Sequence, residues 1–424
     1  MSKKIRRVFA FTLLLGLSLL LLNCGSSSSR PAAVLYVLSQ GEAIVQSYAI
    51  NLDNGKLSQI NTKATTDTTP SSILLDASGK AAFVLNTGSN TITAYTANDN
   101  GSLSAPSSMA LPVKNSVAMA RDAAGTFLIV VSQGAIPAPG TAPQPGVAPC
   151  PHPEPDTDCP AVTVFTMQSG SPMLTQVGDP VALDRVPTSV TPSVTGTFDD
   201  PDHPGGSVSG TLVQITSNQD LNGVNDNTVS EYVVPSSGAI TSKLAGSPYT
   251  VGSDPGAVLA VKTTPVGGSG SLFVYVANSG SGAGGNSLSV FLVCTVTSAT
   301  CTTDDVNHAT MVPVGVSVSV GLAPVAMTVD PTNTFLFVVN HGSATVSGFK
   351  INATTGLLSA LNPATASTGS GPMAISMHSS GKFLFVSNNA SSNISGFTVD
   401  TTSGKMSTAI NVTSDAQPAG LAAK

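Results

Sequence analysis

The chain has 424 residues, of which only 9% are charged, and its formal net charge is −6. Ordinary soluble domains carry roughly 25% charged residues, so solubility here rests on Ser, Thr and Asn, which β-strands and their turns accept. An acidic chain lacks the basic footprint that phosphates require, which excludes nucleic acid as an expected partner.

Lys3, Lys4, Arg6 and Arg7 precede an uncharged run of 15 residues from Val8 to Leu22. That is shorter than the roughly 18 to 20 residues a membrane-spanning helix needs, and it reads as a secretory signal over residues 1–23. The run ends in "LLNCGSSSSRP", which resembles the bacterial lipoprotein cleavage box: Leu21 lies three places before Cys24, and Asn23 replaces the usual small residue. The resemblance implies that Cys24 is acylated and that the membrane is a partner through this anchor, in the cell envelope. More than one acyl chain makes such attachment stable. Residues 24–32, with Ser26 to Ser29, then form a flexible tether. An ordinary secreted protein with a chance cysteine is the alternative. Loss of the four basic signal residues leaves the mature chain near −10.

From residue 33 onward one short apolar strand pattern recurs. It reads "LYVLSQG" at Leu35, "AFVLNTG" at Ala82, "LIVVSQG" at Leu128 and "LVQITSN" at Leu212, then "LFVYVAN" at Leu272, "FLFVVN" at Phe335 and "FLFVSN" at Phe383. The last two copies align without a gap from Phe335 to Ser359 and from Phe383 to Ser407, with 12 of 25 positions identical. Each is preceded by one strand and followed by a β-rich run ending in a Gly turn, which are strand signals. Four strands, A to D, over about 48 residues match a propeller blade. Strands of type A begin near Ser71, Ser116, Thr188, Gly256, Val325, Met373 and Ala419, so both counts give seven. The first blade opens on strand B, and the chain ends on "QPAGLAAK", a lone strand A. Residues 33–424 are therefore predicted to be an all-β, seven-bladed β-propeller of four-stranded antiparallel blades. The C-terminal strand completes the N-terminal blade and leaves no open sheet edge.

Beyond Cys24, the cysteines form two close pairs, Cys150 with Cys159 and Cys294 with Cys301. In an exported chain these are expected as two short-loop disulfides. Cys294 and Cys301 are placed across a C–D turn, on paired strands. A zinc site wants C-x2–4-C spacing and a reducing compartment, and neither is present.

The runs "DASGKAAFVLN" at Asp76 to Asn86 and "SGKFLFVSN" at Ser380 to Asn388, with the blade link "LAGSPYTVGSDP" at Leu244 to Pro255, carry a family resemblance. The chain resembles the lactonase-type seven-bladed propellers, which include 6-phosphogluconolactonase and the YVTN-repeat proteins. Asp76, Asp122, Asp330 and His378 share one slot before an A–B turn, where a short acid bonds its own backbone. The resemblance implies basic and acidic side chains converging near the top of the channel, on the face shared by D–A links and B–C loops. The ionisable residues expected there are Asp67, Lys114, Asp184, Arg185, Asp254, His341 and Asp415. Candidate catalytic residues are His341 as general base, Arg185 as anion partner and its neighbour Asp184. Polar loop decoration is the plainer reading, and no G-x-S-x-G nucleophile turn occurs.

Insertions break the repeat at three B–C positions. The first is proline-rich, Gly134 to Pro160, and holds His152, Glu154, Asp156 and Asp158. The second is Ser217 to Ser230, where Asp220, Asn222 and Asp226 about Gly223 form either a calcium-type turn or an Asn/Gly hairpin turn. The third is the glycine-rich Asn278 to Ser287. A further insertion, Thr195 to Gly206, is placed on the A–B side. No cofactor other than Ca2+ is suggested. Two functions stay open: an envelope propeller that binds a protein or small-molecule ligand through its top loops, or an extracytoplasmic lactone hydrolase.

Overall fold

The structure, a computed structural model, describes residues 33–135, 158–203, 205–241, 243–265, 270–282 and 284–424. The expected signal segment, Cys24 with its tether, and most of the proline-rich loop including Cys150 lie outside the described residues. No helix among the described residues is long and apolar enough to cross a membrane.

Seven antiparallel sheets make the ring, one per blade. Their inner strands, in chain order from blade two, are Pro70–Leu75, Ser116–Arg121, Arg185–Asp199, Pro255–Thr263, Pro324–Val329 and Pro372–Met377. Pro418–Ala423 is the inner strand of blade one. All seven begin within three residues of the positions expected from the sequence, and inner strands of neighbouring blades contact one another round a central channel. Strand Pro418–Ala423 pairs with Val34–Ser39 in the register Leu35↔Ala423, Tyr36↔Ala422 and Val37↔Leu421. The last strand of the chain closes the first blade.

The core lies between blades rather than within them. Seven apolar clusters fill the seven clefts, each built from two adjacent blades. Strand B is covered on both faces, so "FLFV" is a continuous apolar run instead of an alternating one. Phe83, Phe337 and Phe385 are wholly buried in this way, and each such burial stabilises by about 1.5–3 kcal/mol. Strand B commonly ends in a buried Asn, whose amide would be costly without partners. Asn86, Asn340 and Asn388 donate Nδ2–H to Thr93, Ser347 and Ser395 on the neighbouring strand, at 2.8–2.9 Å. That bond explains the recurrent Asn and the Ser or Thr seven positions later.

The A–B turns, on what we call the lower face, are closed by the predicted acid slot. Asp76 Oδ1 accepts from the Lys80 and Ala81 N–H groups at 2.7 and 2.8 Å, and Asp122 and Asp330 repeat the pattern. His378 fills the slot in blade seven and accepts from Ser380 N–H. On the upper face, D–A links bind B–C loops. Gln40, Thr87, Gln133, Ser279, His341 and Asn389 each donate their N–H to the carbonyl of a residue just before or at the start of an inner strand.

Thr195 to Gly206 lies on the A–B side, as expected, and its first part is strand: strand A of blade four continues to Asp199, and strand B begins at Ser207. Thr197 pairs with Ser209 and Phe198 with Val208, while Phe198 is buried among the residues between blades four and five, so the insertion extends a β-arm. The Cys294–Cys301 disulfide forms, with Cα atoms 5.5 Å apart, but not on paired strands. Cys294 follows strand Ser287–Val293 and Cys301 lies just before a short helix, Thr303–Asn307. Thr302 caps that helix through a reciprocal bond with Asp305, and this turn chemistry displaces strand D to Met311–Pro313.

Candidate functional site

Arg185 is the first residue of the inner strand of blade four and stands at the upper mouth. Its Nη1 lies 2.6 Å from Asp184 Oδ2 and its Nε 2.6 Å from Asp226 Oδ2, while Lys243 also reaches Asp184. Burial pushes the Asp184 carboxyl up, but Lys243 and Arg185 outweigh it and hold it below the ordinary range. The structure therefore joins two candidate groups the sequence kept apart, Arg185 with Asp184 and Asp226 from the Asp/Asn turn. The guanidinium is already neutralised by two carboxylates.

His341 stands in the B–C loop of blade six, two blades from Arg185, and no hydrogen bond or ion pair joins the two. It is exposed, and its Nδ1 lies 3.0 Å from the carbonyl oxygen of Pro372, the first residue of the next inner strand. A carbonyl only accepts, so Nδ1 carries the proton and a neutral ring offers Nε2 as its basic nitrogen. The other expected upper residues are all engaged. Asp67 accepts from Thr91, Lys114 pairs with Asp158, Asp254 accepts from Asn218, and Asp415 binds Lys63.

In the blade-four turn, Asp220 Oδ1 accepts from the Asn222 and Val224 N–H groups at 2.9 and 2.8 Å, and its Oδ2 from Asn222 Nδ2. These are bonds of a self-closed Asp/Asn turn, with Asp226 turned to Arg185. Among the described residues no three His, Cys, Asp or Glu side chains gather as metal ligands. In the glycine-rich loop a Cβ at Gly285 would overlap the carbonyl oxygen of Gly280, and one at Gly252, in the link before the inner strand of blade five, would overlap that of Gly284. The loop's composition thus follows from close backbone approach. The proline-rich loop is held at its base: Ala135 N–H bonds Asp158 O, and Cys159 is buried and disulfide-bonded.

On the lower face the channel opens into a cavity of about 740 Å³. Its wall is the lower ends of the inner strands of every blade but the sixth, and it includes Arg121 and Lys424. Asp76 also borders it, with its carboxyl held at about 2 because bonds from Ser78, Ala81 and Gly170 outweigh burial.

Sequence reasoning missed Glu231. It is wholly buried in strand Asn225–Pro235 and accepts one bond, from Gln214 Nε2 at 3.1 Å, while its Oε2 has no partner. Burial pushes its carboxyl up to about 8 against the opposing Gln214 bond. The signal was present: an acid inside the apolar run "VSEYVV".

Comparison with known proteins agrees with this architecture. The chain resembles solved structures over nearly its whole length, at identities that speak to fold alone. A protein assigned as a 6-phosphogluconolactonase from Bacteroides fragilis is 14% identical, with a TM-score of 0.64, covering 94% of this chain and 99% of its own. The periplasmic gluconolactonase of Pseudomonas aeruginosa is 16% identical, with a TM-score of 0.64, covering 92% and 98%. A protein of unknown function from Desulfotomaculum acetoxidans is 15% identical, with a TM-score of 0.59, covering 92% and 98%. No curated protein sequence matches the chain. The family described as "Lactonase, 7-bladed beta-propeller" matches residues 28–133 and 285–419. The unmatched stretch between them, residues 134–284, holds blade four, the proline-rich and Asp/Asn B–C loops and most of the glycine-rich one. With more than half of its residues matched and seven blades closed as described, the chain belongs to the lactonase family of seven-bladed β-propellers.

Proposed function

We propose that the protein is an exported lactonase-family propeller, held in the cell envelope through Cys24, which binds a ligand or protein through its upper-face loops rather than hydrolysing a lactone. One observation carries this reading. Each basic side chain described on the upper face, Lys63, Lys114, Arg185 and Lys243, is committed to a carboxylate, while His341 has no acidic partner. Ester hydrolysis wants the reverse, a base oriented by a neighbour and a cation or N–H donor left open for developing negative charge. An extracytoplasmic location is supported by the apolar leader and by the neighbour described as periplasmic. The test is a pull-down from envelope extract with the wild type and with a variant whose residues 136–160 are replaced by a Gly-Ser turn. Specific capture by the wild type that the variant loses is expected, and equal capture by both contradicts the loop assignment.

A second reading, hydrolysis of a lactone met outside the cytoplasm, is favoured by the exposed His341 on the upper face, whose Nδ1 is engaged by the Pro372 carbonyl. His341→Ala separates the two, since it removes that ring and leaves the Pro-rich loop and the Arg185 cluster in place.

A further inference from the structure

We propose that residues 243–251, the outer segment of blade four, form a pH-gated flap that docks over Glu231 while its side chain is protonated and lifts when it ionises. Its opening does not depend on what the upper loops bind.

The fourth strand runs for 8–10 residues in blades one, two, three and six. In blade four it is only Tyr249–Thr250, in the register Thr228↔Thr250 and Val229↔Tyr249, with Val251 N–H bonded to Asn227 O at 3.0 Å. The rest of the segment hangs on Glu231 itself. Leu244 N–H bonds Glu231 O at 2.8 Å, and Glu231 N–H bonds Ser247 Oγ at 2.7 Å. Ser247 N–H closes onto Leu244 O at 3.3 Å, so this part is one turn.

Glu231 alternates along its strand with Val229 and Val233, which belong to the apolar cluster between blades four and five. Leu244 of the flap is in that cluster, and Tyr249 packs against it. The flap thus covers the carboxyl. Beside the bond from Gln214 Nε2 to Glu231 Oε1, Glu231 Oε2 and Gln214 Oε1 are both buried without partners. A carboxylate only accepts, so ionisation leaves two acceptors unmatched. A proton on Oε2 is the one donor this side chain can supply, and the amide oxygen is an acceptor that suits it.

No charge compensates an ionised Glu231. Burial outweighs the Gln214 bond, and no cation contributes. Burial, with Glu231 beside it, pushes the Tyr249 hydroxyl up to about 12, so this neighbour stays neutral. Asp305 of the short helix bears on Tyr249 and not on Glu231, and Lys243 is spent on Asp184. Blade five faces the site with Val258, Leu272, Val274, Phe291 and Met311.

A buried carboxylate must keep a proton or reach water, and lifting a segment held by so short a ladder takes less than opening the ring. The docked carboxyl lies near 8 and its ordinary value is 4.5, so between those limits the docked form holds one more proton. Docking is complete below about 4.5 and weakens as pH rises, the opening constant growing about tenfold per pH unit up to 8. Lys243 leads the flap, so lifting withdraws a cation from Asp184 and leaves Arg185 facing two carboxylates, Asp184 and Asp226.

Hydrogen exchange of the purified protein, read by mass spectrometry between pH 6 and 8 and corrected for the intrinsic pH dependence of exchange, tests the flap. The peptide covering 243–251 should exchange at least a hundredfold faster than the buried strands Phe335–Asn340 and Phe383–Asn388, and its protection should fall about a hundredfold across the range. Glu231→Gln should hold that protection constant. Ser247→Ala, which loses the acceptor of Glu231 N–H, should lower protection at every pH and keep the wild-type slope. The proposal is overturned if the flap exchanges only together with the buried strands, if its protection varies less than threefold from pH 6 to 8, or if Glu231→Gln keeps the wild-type slope. The first two results are read on the wild type alone and hold even where Glu231→Gln fails to fold.

Discussion

Lys63 Nζ lies 2.7 Å from Asp415 Oδ1, although 352 positions separate the two residues. The pair marks the upper end of the seam where the last strand joins the first blade, and Lys63 also reaches Glu42 at 3.3 Å. Exposed pairs of this kind contribute little. The seam is held by the backbone ladder of Pro418–Ala423 and by burial of Ala419 and Leu421. Deleting residues 417–424 would expose strand edges on blade one and open two apolar clefts. The truncated protein should lose most of its stability, read as a large fall in melting temperature. Leu421→Ala alone should cost about 2–4 kcal/mol. A truncated protein that melts with the full chain would refute closure.

Glu231 sets a pH dependence with a definite sign. Its folded carboxyl lies near 8, above its ordinary 4.5, so the folded protein keeps a proton that the unfolded chain releases. The protonated group's contribution is complete below about 4.5 and is lost as pH rises through about 8. The unfolding free energy read from denaturant titrations should therefore fall between pH 5 and 8, by an amount on the order of a few kcal/mol. Glu231→Gln should flatten that slope and be the more stable form at pH 8. Parallel slopes for the two proteins would show that Glu231 is not the group responsible.

The Cys294–Cys301 bridge closes a short loop, sequence separation 7, and restricts the unfolded chain by about 2–3 kcal/mol on the loop-entropy account. Cys294→Ala with Cys301→Ala should lower stability by that order, read as a fall in the unfolding free energy against the wild type under non-reducing conditions. Peptide mapping that finds both thiols free in protein purified from the envelope would contradict the bridge.

Much of the fold was legible because every blade obeys one local rule. Strand B is apolar on both faces, an Asn or Ser often ends it, and Asp or His closes the A–B turn. Such signals lie within about 15 residues of chain, where sequence periodicity can find them. The β-arm of blade four was not legible, because Thr195 to Gly206 is rich in Gly, Pro and Asp, and tertiary cover of Phe198 is what makes Thr195 to Asp199 strand. The candidate site was less legible still. Sequence placed Arg185, Asp184, Asp220, Asn222, Asp226 and His341 on one face, and that is where they are. Which of them touch depends on blade order and side-chain reach. Arg185 took its carboxylates from its own blade, and His341 took a backbone carbonyl. The lower cavity was invisible in the same way, since its lining residues, from Ile73 to Lys424, are far apart in the chain and come together only across the closed ring.

The central claim is that the upper face binds without turning over a lactone. Initial rates of ring opening by the purified protein on a panel of sugar and aliphatic lactones, with and without calcium, test it most directly, with His341→Ala run in parallel. The account predicts rates equal to the spontaneous reaction for both proteins on every member of the panel. Saturable hydrolysis by the wild type that falls a hundredfold or more in His341→Ala would contradict it and establish the hydrolase reading.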